Sequence, residues 1–145
     1  MGSIDAVNLD PVVNSVTPGA NTVEKYQKIH VTAMGGSSSI QNLKVWRTGA
    51  LGGAATHLTS ARTATYAAPA YPAAAATPST TPNAATTQAM PTAVPATANL
   101  GIAGVLTGSL TAAGSSDFLA HIITTNAADT AGSTSTQNYQ YDEVA

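Results

Sequence analysis

Large apolar side chains concentrate in three stretches of this chain, roughly 23–46, 100–123 and 139–144, and the segment from Ala67 to Ala98 between the first two has the makings of neither a helix nor a core. From Ala67 to Ala98, six of the eight prolines stand among alanine and threonine with no hydrophobic periodicity. Proline removes the amide that a helix or a central strand requires, and alanine buries little area. The segment is therefore expected to be extended, polyproline-like or irregular backbone. Its own side chains offset little of an ordering entropy of roughly 1–2 kcal/mol per residue, so it is expected to draw its missing contacts from a neighbouring subunit.

The flanking stretches carry the period of strands. In Val23 to Met34, Ile29, Val31 and Ala33 alternate with Lys28, His30 and Thr32 before Gly35-Gly36 closes the run. Ile40 to Thr48 follows, with Leu43 and Val45 on one face and Lys44, Trp46 and Thr48 on the other. His57 to Tyr66 reads as a polar edge strand, Leu100 to Thr111 as a strand among three glycines, and Asp117 to Thr125 as a strand apolar on both faces. Asn126 to Gly132 reads as a hairpin loop leading into a last strand, Ser133 to Val144, with Tyr139 and Tyr141 on one face and Gln140 and Asp142 opposite. No stretch has helical periodicity. The expected fold is all-β, an immunoglobulin-like or jelly-roll-like β-sandwich over 23–145, with an extended N-terminal arm over 1–22 and a long Ala/Pro/Thr-rich insertion over 67–98.

Charged residues make up 8% of the chain, against roughly 25% in an ordinary soluble domain. Threonine, serine, asparagine and glutamine take their place, and a surface of hydroxyls, amides and methyls is easily desolvated against another like it. That favours permanent assembly, with a homo-oligomer expected. Five Lys and Arg and a net charge of −2 give phosphate no electrostatic attraction, so nucleic acid is not an expected partner. The first ten residues lack the pattern of a secretory signal, and no apolar run has the length of a membrane-crossing helix, so no membrane partner is expected.

Chemistry-bearing patterns are missing from the sequence. There is no cysteine, no Gly-x-Ser-x-Gly elbow, no Ser-x-x-Lys, no Asp-x-Asp-x-Asp loop, and no lysine to complete a phosphate cradle at Gly101 to Gly108. His30, His57 and His121 are far apart in strand contexts, and Asp142 and Glu143 point to opposite faces of one strand. No catalytic residue, cofactor or metal is expected, and the chain is not expected to be an enzyme. The candidate interface or ligand contacts are Trp46, Arg47, Arg62, Tyr66 and Tyr71. Arginine pairs bidentately with a partner's carboxylate, and an exposed Trp46 would offer a sugar a stacking platform. Tyr139 and Tyr141, spaced i and i+2, fit a core wall.

The runs Val23-Glu24-Lys25-Tyr26, Ile29-His30-Val31-Thr32-Ala33 and Asn42-Leu43-Lys44-Val45-Trp46-Arg47 are similar to strands of immunoglobulin-like sandwiches. Asp117 to Thr125, the small polar loop and the ending Tyr139-Gln140-Tyr141-Asp142-Glu143 look like the last hairpin of such a domain. In its Ala/Thr/Gly richness, low charge and lack of cysteine the chain resembles tailed-bacteriophage virion proteins, above all head decoration or cement proteins; the likeness covers about half of it. The resemblance implies a non-enzymatic subunit of the virion, assembled in the host cytoplasm, that binds major capsid or other virion subunits and stabilises the shell. The alternative is a carbohydrate- or cell-surface-binding sandwich module of a fibre or envelope.

Overall fold

The computed structural model describes residues 18–22, 25–60, 87–130 and 135–145; most of the expected arm and insertion, with Arg62, Tyr66 and Tyr71, lies outside them. Among the described residues there is no helix. Nine strands follow in chain order among these residues: β1 Lys25–Gln27, β2 His30–Val31, β3 Ser39–Thr48, β4 Thr56–Ser60, β5 Thr87–Ala89, β6 Ser109–Leu110, β7 Gly114–Ser115, β8 Leu119–Thr124 and β9 Thr136–Val144. They form antiparallel sheets in the orders β1-β8-β4-β5, β6-β3-β9 and β2-β7. The all-β expectation is met. The connectivity differs from the sequence reading at four places, each with a local cause.

The run expected as one strand from Val23 to Met34 is divided. β1 pairs with β8 and β2 with β7, and between them Lys28 and Ile29 stand opposite three residues, Ser116 to Phe118. The extra residue is a bulge in an otherwise continuous ribbon. Ser116 holds it together: its hydroxyl accepts from Ile29 N at 2.9 Å and its amide donates to Ile29 O at 2.9 Å. Ile29 is thus buried with both backbone groups satisfied.

β3 carries a second bulge, which sets the core. Plain alternation from Ile40 would send Leu43 and Val45 to the opposite face, yet all three are buried in one cluster. Asn42, at φ 55°, makes the switch where the β3–β9 register shifts between Gln41 and Lys44. Asparagine enters this left-handed region more readily than most side chains, and its amide donates to Asp142 Oδ2 at 2.8 Å. Around these three residues pack Ile29, Val31, Met90, Leu100, Ile102 and Leu119, with Met34, Leu110, Tyr139 and Tyr141 partly buried at the margin. The two tyrosines form the core wall that their spacing suggested.

The Pro-rich segment is less irregular at its end than expected. Thr87–Ala89 forms β5 along β4, so β4 is an inner strand rather than a polar edge. Thr87–Ala89 contains no proline, which leaves its amides available for the ladder. Met90 is then buried, and Pro91 O accepts from Arg47 N at 2.9 Å. Asn99 completes the attachment. Its carboxamide accepts from Val45 N at 2.8 Å and donates to Val45 O at 2.8 Å, taking the place of a backbone partner. Asn99 N and Leu100 N share Leu43 O at 3.1 and 3.2 Å.

Leu100 to Thr111 is mostly turn, with only β6 in the sheet. Ile102 and Val105 bond each other reciprocally at 3.0 and 3.1 Å around Ala103 and Gly104, both at positive φ. That is the turn geometry of a tight two-residue hairpin. The buried Asp117 secures it by accepting from Gly104 N at 2.9 Å. The expected terminal hairpin is also absent, because β8 and β9 belong to different sheets. The connection over Asn126 to Asp129 crosses between them. Asp129 is buried there, and its carboxylate accepts from Asn126 N at 2.8 Å and from Ala54 N at 2.5 Å.

Two substitutions test these devices by urea unfolding. Asn42→Gly should leave stability within about 0.5 kcal/mol, whereas Asn42→Val should cost about 1–2 kcal/mol because a β-branched residue resists positive φ. Asn99→Ala should cost about 2 kcal/mol, since it strands both polar groups of Val45.

Candidate functional site

The two larger sheets meet across an interior that is partly polar. On the β1-β8-β4-β5 sheet, the register sets Thr59 opposite His121 and Gln27 opposite Leu119, all on the face that carries His57. On the other sheet, Val45 stands opposite Tyr139 and Arg47 opposite Gln137. Gln27 Oε1 accepts from the Tyr139 hydroxyl and from Gln137 Nε2, each at 2.8 Å, which ties β1 to β9 across the sandwich. Burial pushes the Tyr139 phenol up to about 12. It remains a neutral donor at any ordinary pH.

Beside this group lies a histidine pair. His57 Nε2 and His121 Nδ1 are 3.1 Å apart, with the ring centroids at 5.1 Å. One nitrogen must donate and the other accept, so two imidazolium rings cannot occupy this geometry. Burial, and secondly the Arg47 guanidinium, bring His57 down from 6.5 to about 4, so it is neutral at pH 7. Its Nδ1 has no hydrogen-bond partner among the described residues. A tautomer with the proton on Nε2 leaves a bare lone pair at Nδ1 rather than a bare N–H.

Arg47 sits at the margin of the same interior. Its Nη1 donates to Gly49 O at 2.7 Å, and its Nε is buried with no acceptor among the described residues. The structure thus directs this sequence-chosen residue toward His57. Trp46, the next residue along the strand, is on the outer face of β3 and half-buried, opposite Asn138. The outer face continues through Lys44, Thr48, Thr136 and Gln140. Asn138 Nδ2 donates to Thr48 Oγ1 at 3.2 Å and to Thr136 O at 3.1 Å, and Lys44 Nζ reaches Ala96 O at 3.3 Å.

These two places divide the chemistry. His57 is buried and His121 half-buried, and among the described residues no three His, Cys, Asp or Glu side chains gather to hold a metal. The β3–β9 face is open and carries one cation and no carboxylate over Lys44 to Thr48 and Thr136 to Gln140, which suits it to contact with another surface. Sequence reasoning did not bring His57 and His121 together, because 64 residues separate them and neither lies in a short-range ligand motif.

The histidine pair makes stability depend on pH. Between about 6.5 and 4 the unfolded chain binds a proton that folded His57 refuses, so stability is full above this window and falls as pH drops through it, by up to about 3 kcal/mol. His57→Gln should flatten that slope in urea unfolding between about pH 7 and about pH 4.5, while carboxylates dominate at lower pH.

No family model, curated protein or solved structure matches the chain.

Proposed function

We propose that this protein is a non-enzymatic structural subunit of a virion, of the head decoration or cement type, which binds and stabilises neighbouring shell subunits. The observation that carries the reading is the outer β3–β9 face. Trp46, Thr48, Thr136, Asn138 and Gln140 present one aromatic ring among hydroxyls and amides, with Lys44 as the one charge among them and Asp142 at the far end of the same face, held by Asn42. Such a face loses little hydration energy on contact, while its amides keep direction in the pairing. Exposed Val94 and Val105 add apolar points elsewhere on the surface. Major capsid or other virion subunits are the proposed partners, with assembly in the host cytoplasm. The finer architecture belongs to the same proposal: an immunoglobulin- or jelly-roll-like sandwich with an arm over 1–22 and an insertion over 67–98. Its support is the crossing of the chain between sheets after β8.

One feature favours the alternative of a carbohydrate- or cell-surface-binding module: Trp46, partly exposed, stands beside Asn138 on the outer face, an arrangement a sugar platform would use. Saturable quenching of the single tryptophan by a glycan would select that reading. The virion reading predicts instead that chymotrypsin cuts the free chain after Tyr66, at the bond to Ala67, and spares this bond in assembled particles. Mass spectrometry of the digests reads the difference, and equal cleavage in both states would count against it.

A further inference from the structure

The sheet β6-β3-β9 treats its two sides differently. On one side, β3 is covered by β6, by Asn99 and by the segment that begins at Pro91. On the other, β9 ends the sheet with nine residues, Thr136–Val144, and no strand beyond it among the described residues. Edge strands are usually protected by proline, charged side chains, a bulge or shortness. β9 contains no proline, lysine or glycine, its two charges, Asp142 and Glu143, stand together near its end, and the bulge in this strand pair lies in β3.

The direction of each β9 backbone group follows from its neighbour. Leu43, Val45 and Arg47 spend their backbone bonds on Asn99 and Pro91, so Lys44, Trp46 and Thr48 face β9, opposite Gln140, Asn138 and Thr136. Val144 O also turns inward, accepting from Ser38 N at 2.6 Å. By alternation, Gln137, Tyr139, Tyr141 and Glu143 turn their N–H and C=O groups to the open side.

We infer that β9 is a homotypic pairing edge, on which a second copy of this chain adds its own β9 antiparallel about a two-fold axis at Gln140. This register overlaps the full strand and pairs Gln137 with the second copy's Glu143 and Tyr139 with its Tyr141, forming roughly eight backbone bonds. Charge selects both the direction and the register. A parallel pair would set Asp142 and Glu143 beside their own copies, whereas the antiparallel pair places Asp142 opposite the amide of Asn138 and separates the like carboxylates by roughly 14 Å along the strand. Gln140 meets Gln140, and the two sheets join into one. The inference deepens the structural-subunit reading, on which its biological use rests, but the pairing is a property of the isolated chain.

The chain contains no cysteine, so a single Gln140→Cys substitution is a clean probe. Residues facing across a non-hydrogen-bonded antiparallel pair have Cα atoms about 4.5 Å apart, within disulfide reach. Mild oxidation of Gln140→Cys should yield a covalent dimer, while Thr136→Cys, whose two copies lie at opposite ends of the paired strands, should remain uncrosslinked. Sedimentation velocity should show a wild-type dimer that Asn138→Asp weakens at least tenfold and Asn138→Lys strengthens, with circular dichroism confirming that each variant is folded. A wild-type chain monomeric up to about 100 µM, on the scale of weak specific association, would overturn the inference, as would a dimer in which Gln140→Cys fails to crosslink. Either result leaves the chymotrypsin comparison on particles to decide the virion reading by itself.

Discussion

The fold depends on β3 being held along both sides. β9 occupies one side through a register that runs from Ser39 to Thr48, and Asn99, Pro91 and β6 occupy the other. Val45 is almost fully buried, so its amide and carbonyl cannot be left to water, and the Asn99 side chain meets both. From this strand Ile40, Leu43 and Val45 project into the apolar cluster while Trp46 and its neighbours form the outer face. Core, edge protection and candidate contact surface are therefore three consequences of one strand's environment.

A chain poor in bulky side chains fills its interior differently from a leucine-rich domain. The apolar cluster is small, and beside it lie Gln27, Gln137, Tyr139, His57 and His121 in mutual hydrogen bonds. Each polar contact contributes roughly 1 kcal/mol net, but leaving one member unpaired costs more, so such an interior favours one register over its slipped alternatives. The bulges serve the same end. Asn42 in β3, and the extra residue between Ser116 and Phe118, let side chains spaced wrongly for plain alternation reach a common core.

The proposed contact surface lies where charge is sparse. Among the described residues several charges are engaged in local architecture: Asp117 and Asp129 hold turns, Arg47 borders the interior, and Asn42 meets Asp142 across β3 and β9. What faces outward on β3 and β9 is mainly hydroxyl and amide, a surface suited to being covered by another protein. The open side of β9 adds backbone groups to that surface, so lateral contact and strand addition can share one region of the molecule.

The sequence by itself determined the all-β character, the alternating faces of Leu43 and Val45 against Trp46, the core wall of Tyr139 and Tyr141, and the poverty of charge, because each is a property of neighbours along the chain. Period 2 is legible wherever one face is buried. Only the tertiary structure decided that β8 and β9 part company into different sheets, that β5 makes β4 an inner strand, and that His57 meets His121. Those outcomes depend on partners tens of residues away. An asparagine that completes a ladder or enters a left-handed conformation looks in sequence like any other asparagine, since what selects Asn99 and Asn42 is the unpaired backbone of Val45 and the spacing of a distant core.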